Sequence, residues 1–169
     1  NSCHTVIVEE LRTARRFLKK AGYAHAIDDT TFHLLNEHTS EADTAHYLDA
    51  CLHGEHVGLL SEVGLPCVAD PGMLVTRQAH RLGIEVMPLV GPSSLMLALM
   101  ASGLNGQSFA FNGYLPVDKH ERVQAIRRLE QRALKEHQTQ LFIEAPYRNN
   151  QMLESLASTL HPETRICVA

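Results

Sequence analysis

Apolar and polar positions along this chain repeat in two periods, and the pattern switches between two and about 3.6 residues several times. Val6-Ile7-Val8 is a short β-branched run. Leu11 to Lys20 then shows helical periodicity, with Gly22 where a helix stops. Thr31 to Leu35 reads as a second strand. Ser40, with Asp43 three residues on, predicts a capped helix whose inner stripe is Ala45, Leu48 and Leu52, closed by Gly54. Val57 to Leu60 is apolar on both faces, as a parallel strand covered by helices is. Met73 to Leu82 reads as a helix ended by Gly83, Ile84 to Leu89 as a strand, and Ser93 to Ser102 as a helix. The stretch "SGLNGQS" then punctuates the chain. Beyond it, Phe109 to Phe111, Leu141 to Ile143 and Ile166 to Val168 read as strands. Asp118 to Lys135 reads as an amphipathic helix with Val123, Ile126 and Leu129 inward, and Asn149 to Leu160 as another helix. Regular alternation of strand and helix predicts an α/β fold with a mostly parallel sheet. The punctuation near Leu104 to Ser108 divides it into two α/β domains, residues 1–105 and 106–169.

Composition narrows this little. The 169 residues are 44% hydrophobic and 20% charged, ordinary for a globular protein. No apolar run approaches the roughly 18 residues a membrane span needs. No signal-like segment opens the chain, and Cys3, Cys51, Cys67 and Cys167 are scattered without a C-x-x-C, so reduced thiols and a cytoplasmic location are expected. A net charge of −4 with eleven His argues against a whole-surface nucleic-acid binder but leaves local basic patches open. "CLHGEH" (Cys51, His53, His56) has no second ligand cluster, so no metal is expected. Cys67, without a paired His, reads as a small packing residue.

The chemistry concentrates where strands end. Ligands of open parallel sheets bind beyond the carboxyl ends of the strands. Three turns lie there: Ser61-Glu62-Val63-Gly64, Gly91-Pro92-Ser93-Ser94, and Glu144-Ala145-Pro146. The first supplies a hydroxyl, a carboxylate and a glycine that admits a ligand to the backbone. The second opens a helix, whose first N–H groups are free to bind. Gly, Pro and Ser are equally what a bare strand-to-helix connection needs. No G-x-G-x-x-G or G-x-x-x-x-G-K-[ST] occurs, which disfavours a common dinucleotide or P-loop site.

Several stretches together resemble a known family. "VGLLSEVGLPCVADPG" followed by "VMPLVGPSS" is similar to the tetrapyrrole methylase superfamily, and most similar to its ribosomal small-subunit RNA 2′-O-ribose methyltransferase branch. Glu9-Glu10-Leu11-Arg12, Phe111-Asn112-Gly113-Tyr114-Leu115-Pro116 and Glu144-Ala145-Pro146-Tyr147-Arg148 match further motifs of that branch, in its order. Glu62 stands where the branch has Asp, Glu10-Leu11 where it has Asp-Thr, and Tyr147 where it has His. The resemblance implies two domains with S-adenosylmethionine bound in the cleft between them. It assigns Ser61, Glu62, Val63, Gly64, Gly91, Pro92, Ser93, Ser94 and Ala145 to the cofactor, and it implies a homodimer.

Methyl transfer from a sulfonium is an in-line displacement in which the cofactor supplies the reactive carbon and the protein aligns the acceptor. If the acceptor is a ribose hydroxyl, Glu144 is the first candidate for base or orienting group, with Arg148 beside it and Glu62 second. A salt bridge from Glu144 to Arg148, four residues on, is the plain structural alternative. Arg12, Arg15, Arg16, Lys19 and Lys20 fall within an arc of about 140° on the first helix, at roughly 100° per residue. Lys119, Arg122, Arg127, Arg128, Arg132 and Lys135 point outward on the later one. Contact with RNA phosphates is the functional reading of these stripes, with Arg12, Arg15, Arg16 and Lys19 foremost, and a solvated face is the other. A methylase of a tetrapyrrole or other small molecule, and a non-catalytic ligand-binding module, are the rival functions. In the family a further strand precedes the motifs seen here, and more strands follow them. These 169 residues are therefore expected to be part of a longer chain, lacking a strand beside the one that precedes Gly91.

Overall fold

Alternation within one apolar run decides the first sheet. Along β1 (Cys3–Val8), Val6 and Val8 face one side and Ile7 the other, and all three are almost fully buried. The computed structural model describes residues 3–169. By its packing the chain divides at Ser93, ahead of the punctuated stretch, into Asn1–Ser93 and Ser94–Ala169.

In the first unit β1 lies between β2 (Thr31–Leu34) and β3 (His56–Leu60), both parallel to it, so Val8 stands opposite Leu34 and Leu60. Between β1 and β2 runs helix α1 (Leu11–Lys20). Its first amides are capped by the Glu10 carboxylate, which accepts from Arg12 N–H at 2.9 Å and Thr13 N–H at 2.6 Å. Lys19 and Lys20 complement the dipole at its other end. Leu18 joins Val6 and Val8 on one face of the sheet. On the other face Ile7 meets Leu35, Leu48, and Val75 and Ala79 of helix α3 (Met73–Arg81). Burying one such aliphatic side chain contributes about 1.5–3 kcal/mol.

Three expected elements come out differently. The expected helix after Ser40 is mostly a series of tight turns. The Ser40–Asp43 cap forms in both directions, at 2.8 and 3.3 Å, but only helix α2 (Asp49–Leu52) is α-helical. The Thr44 hydroxyl, bonded to Glu41 O at 2.8 Å, turns inward with Leu48, whereas Ala45 and Leu52 are exposed. Ile84 to Leu89 is not a strand: its backbone has no ladder partner among the described residues, and Met87 and Leu89 are 73% and 81% exposed. Ile166 to Val168 is not one either, for the same reason.

The second unit begins with helix α4 (Ser94–Ser102) and pairs β4 (Phe109–Tyr114) in parallel with β5 (Thr139–Ile143). Helices α5 (Lys119–Glu136) and α6 (Asn149–Thr159) pack Ala125, Ile126, Met152 and Leu156 against Leu115. Of the expected inner residues of α5, Ile126 is fully buried and Val123 and Leu129 are half-buried. Arg122 corrects the outward stripe. It is 4% exposed, donating from Nε to Ser155 Oγ at 3.0 Å and from Nη1 to Val117 O at 2.7 Å. Its position on the helix puts it toward the core, and the free carbonyls after β4 give its charge a place there. Parallel sheets with covering helices are thus what the alternation predicts. No helix among the described residues is long and apolar enough to cross a membrane.

Candidate functional site

Because β1 and β3 run parallel and in register, the residues that follow them emerge at one edge. Glu9 leaves β1 there and Ser61 leaves β3. Glu9 Oε1 accepts from the Ser61 hydroxyl and from Glu62 N–H, each at 2.9 Å. The Asp70 carboxyl neighbours that of Glu9 and acts on its ionisation. Asp70 Oδ1 in turn accepts from Cys67 N–H at 2.9 Å and Gly72 N–H at 2.6 Å. A Cβ at Gly72 would lie 2.6 Å from that oxygen, so only glycine fits. Burial first, then the neighbouring Asp70 carboxyl, raises the pKa of Glu9 above the usual carboxylate range. Burial opposes ionisation of Asp70 too, but Glu9 and the two amides outweigh it and hold its carboxyl low.

The turn anchored this way is open on its outer side. Glu62 is exposed, Val63 is 85% exposed, and Gly64 has φ +82° with no neighbouring atom where a Cβ would stand. A Cβ at Gly91 would be 2.9 Å from Leu65 Cδ2. Gly91 therefore packs against Leu65, the residue that follows the Ser61–Gly64 turn. Pro92 is exposed and Ser93 half-buried beside Gly91, while Ser94 is the first residue of α4. Backbone amides, hydroxyls and a carboxylate around an open glycine suit a polar, zwitterionic ligand such as an amino-acid sulfonium. Glu9 and Asp70 are the residues that sequence reasoning missed. Both lie within quoted motifs, but the bonds of Glu9 to Ser61 and Glu62 across the sheet edge, and of Asp70 to Cys67 and Gly72, are not visible in the sequence spacing.

Glu144 follows β5 in the second unit. Its Oε1 accepts from Ala145 N–H at 2.8 Å, and its Oε2 lies 3.1 Å from Arg148 Nη2. That contact is an ion pair without hydrogen-bond alignment, so Oε2 accepts no hydrogen bond. Both side chains are buried. Arg148 Nη2 also donates to Leu115 O at 3.3 Å and Pro116 O at 3.1 Å. The pair thus fastens the segment after β4 to the end of β5. Ala145 O accepts from Arg148 N–H at 2.9 Å, so both backbone groups of Ala145 are engaged locally.

Arg12, Arg15, Arg16 and Lys19 are all exposed on α1. The Arg15 guanidinium sits 5.3 Å from the Phe32 ring centroid. Arg15, Arg16 and Lys19 border a shallow cleft of about 540 Å³ closed by Tyr23, His25, Ile27 and Asp28. No ion pair within 4.0 Å engages Arg12, Arg16 or Lys19 among the described residues. Cys51 packs against the first core, and His53 Nδ1 lies 2.8 Å from Asp49 O, so both serve the end of α2. Cys67 is exposed rather than packed, at φ +68°, with its Sγ 3.2 Å from Thr76 Oγ1.

A family model described as Tetrapyrrole (Corrin/Porphyrin) Methylases matches residues 1–169. The chain is 34% identical over 155 residues to the ribosomal RNA small subunit methyltransferase I of Pseudomonas aeruginosa, covering 90% of this chain and 50% of that protein. It is 30% identical over 168 residues to the Vibrio cholerae protein of the same name, covering 99% and 55%. The Mesorhizobium japonicum protein of that name is 34% identical over 164 residues, covering 96% and 52%. The chain spans about half the length of these relatives. Among solved structures, the crystal structure of the methyltransferase CobJ superposes with a TM-score of 0.52 at 16% identity, over 94% of this chain and 76% of that one. That likeness concerns the fold.

Proposed function

Because the chain belongs to the tetrapyrrole (corrin/porphyrin) methylase family, we propose that it serves an S-adenosylmethionine-dependent methyltransferase whose acceptor is small-subunit ribosomal RNA, at a ribose 2′-hydroxyl. The observation that carries the cofactor reading is the anchored, outward-open turn Ser61–Gly64, with Gly91 against Leu65 just beyond it. When bound, the cofactor supplies an electrophilic methyl carbon. The chain's part is to hold it. Glu9 fixes the Ser61 hydroxyl and the Glu62 amide, Gly64 leaves the backbone accessible, and Gly91, Pro92, Ser93 and Ser94 present the second polar turn. Glu144 and Arg148 are the proposed orienting pair. Burial of both side chains favours shaping the Leu115–Pro116 segment over direct proton abstraction.

The RNA reading is supported by the names of the relatives and by the unpaired cations of α1. A cleft that offers Arg16 and Lys19 beside the Tyr23 and His25 rings suits a nucleotide, with phosphate on the cations and a base against an aromatic face. Calorimetry with S-adenosylhomocysteine, followed by transfer of labelled methyl to small ribosomal subunits, tests the proposal. Binding with label in ribose hydroxyls is the expected result. No binding of the cofactor product removes the cofactor reading, and label only in small-molecule acceptors removes the RNA one.

A further inference from the structure

Helix α1 runs back along β1, so its basic face has its two ends at opposite edges of the first sheet. Arg12 stands at the edge where Glu9 leaves β1, in the turn capped by Glu10. Arg16 and Lys19 follow on the same face, four and seven residues on, and extend it about 10 Å along the helix axis. Lys19 lies toward the other edge, where β1 begins: the Tyr23 hydroxyl, just beyond the helix, donates to Cys3 O. From His4 to Glu9 is five residues of extended chain, about 16 Å.

The cleft beside Arg16 and Lys19 therefore opens at the edge away from the Ser61–Gly64 turn. Its two rings are held by β1. Tyr23 is tied through its hydroxyl to Cys3 O, and the His25 ring sits 3.8 Å, centroid to centroid, from that of His4, with Tyr23 edge-on to His25 at 5.3 Å. A wall fixed in this way loses little freedom when a base lies on it. Asp28 lines the cleft from the tight turn Ile27–Asp29 and repels phosphate, which leaves the α1 side to a nucleic-acid backbone.

Resting on the RNA reading above, we infer that this cleft is a remote anchor, which takes a single-stranded nucleotide of the RNA other than the one that is methylated. The base lies against the Tyr23–His25 wall and its phosphate on Lys19. The backbone then runs along Arg16 and Arg12 toward the edge where Glu9 holds the cofactor turn. The length of β1 is further than one nucleotide reaches, so the anchored and the methylated nucleotide are different ones. The cleft adds affinity without touching the reacting atoms. Stacking accepts any base, because every base has a π-face, so the anchor contributes binding and little sequence preference.

The test uses the full chain with an oligoadenylate of about eight nucleotides, within the site sizes of such grooves, and methyl transfer to small ribosomal subunits. In the wild type, the His25 ring C–H signals should move upfield as the oligonucleotide is added. His25→Ala should lose roughly tenfold in oligonucleotide affinity, the stacking surface having gone, and His25→Phe should keep it. In methyl transfer, H25A should raise KM for the subunits by a similar factor with kcat unchanged. Arg16→Gln with Lys19→Gln should lower the slope of log affinity against log salt by about 1.4, at about 0.7 for each charge on a single strand, whereas H25A leaves the slope as it was. His25 signals that stay in place, H25F as weak as H25A, H25A as tight as the wild type, or a fall in kcat at constant KM overturns the anchor. The last outcome would put His25 at the reacting edge. If urea unfolding shows H25A to be misfolded, the ring signals and H25F still decide. A wild type that binds neither oligonucleotide nor subunits removes the RNA reading and the anchor with it, whereas one that binds both, with H25A unaffected, removes the anchor alone.

Discussion

Gly64 holds a backbone conformation, φ +82°, that an ordinary side chain enters only at a cost of about 1–2 kcal/mol, and no described residue of the first unit fills the space beside it. The two facts predict different variants. Gly64→Asn keeps the left-handed backbone, which asparagine tolerates, and places a side chain where the cofactor would lie. Gly64→Val adds backbone strain. Calorimetry should show both losing S-adenosylhomocysteine affinity, while urea unfolding shows only the valine variant destabilised. Unchanged affinity in G64N would remove the turn from the site. Glu144 and Arg148 give a second test. Arg148→Met leaves a buried carboxylate without its cation and should cost about 3–5 kcal/mol. Arg148→Met with Glu144→Gln should recover much of that, because no uncompensated charge remains. Equal loss in the single and double variants would show that the carbonyl bonds to Leu115 and Pro116 carry the effect. The Glu144–Arg148 pairing was legible from its four-residue spacing, although the two residues are joined by the end of β5 and a tight turn at Pro146–Arg148 and not by one α-helix. The Glu9–Ser61 bond was not, because its partners are 52 residues apart and meet only when β1 and β3 align.

Among the elements, those that generate their own hydrogen bonds were readable and those that borrow them were less so. Helix α1 ends where its caps say, from the Glu10 carboxylate to Gly22 at φ +72°. The segments 84–89 and 166–168 have strand composition, yet form no strand because no neighbouring ladder meets them. The turns after Ser40 show a third case: the Ser40–Asp43 cap forms, but Thr44 instead of Ala45 is buried beside Leu48. The basic face of α1 carries the element-scale prediction. Changing Arg12, Arg16 and Lys19 together to Glu should weaken RNA binding and reduce the slope of log affinity against log salt by about 0.7–0.9 for each phosphate no longer neutralised. S-adenosylhomocysteine affinity should stay as it was. The measurement is a salt titration of binding to small-subunit RNA. An unchanged slope would leave the face as solvated surface. The stripe of α5 already departs from a phosphate-binding face at Arg122, which is buried.

At the scale of the whole molecule, each unit has its own apolar cluster: Ile7, Leu35, Leu48, Val75 and Ala79 with Val6, Val8 and Leu18 in the first, and Leu115, Ala125, Ile126, Met152 and Leu156 in the second. Each of these clusters draws its buried residues from one unit. The punctuated stretch 102–108 suggested a boundary behind α4, whereas packing divides the chain ahead of it, since a glycine-rich turn marks a break in secondary structure and not the edge of a core. Separate cores imply separable stability. Ile126, 1% exposed, is the probe for the second unit. Ile126→Ala removes buried methyl groups and leaves a cavity, at a cost of about 2–5 kcal/mol. Hydrogen exchange resolved along the chain should then show protection falling across β4, α5, β5 and α6, while β1 and β3 keep theirs. Ile7→Ala should give the reverse pattern. Protection that falls equally in both units for either variant would mean that the chain unfolds as one cooperative body, and the description of two independent cores would have to be given up.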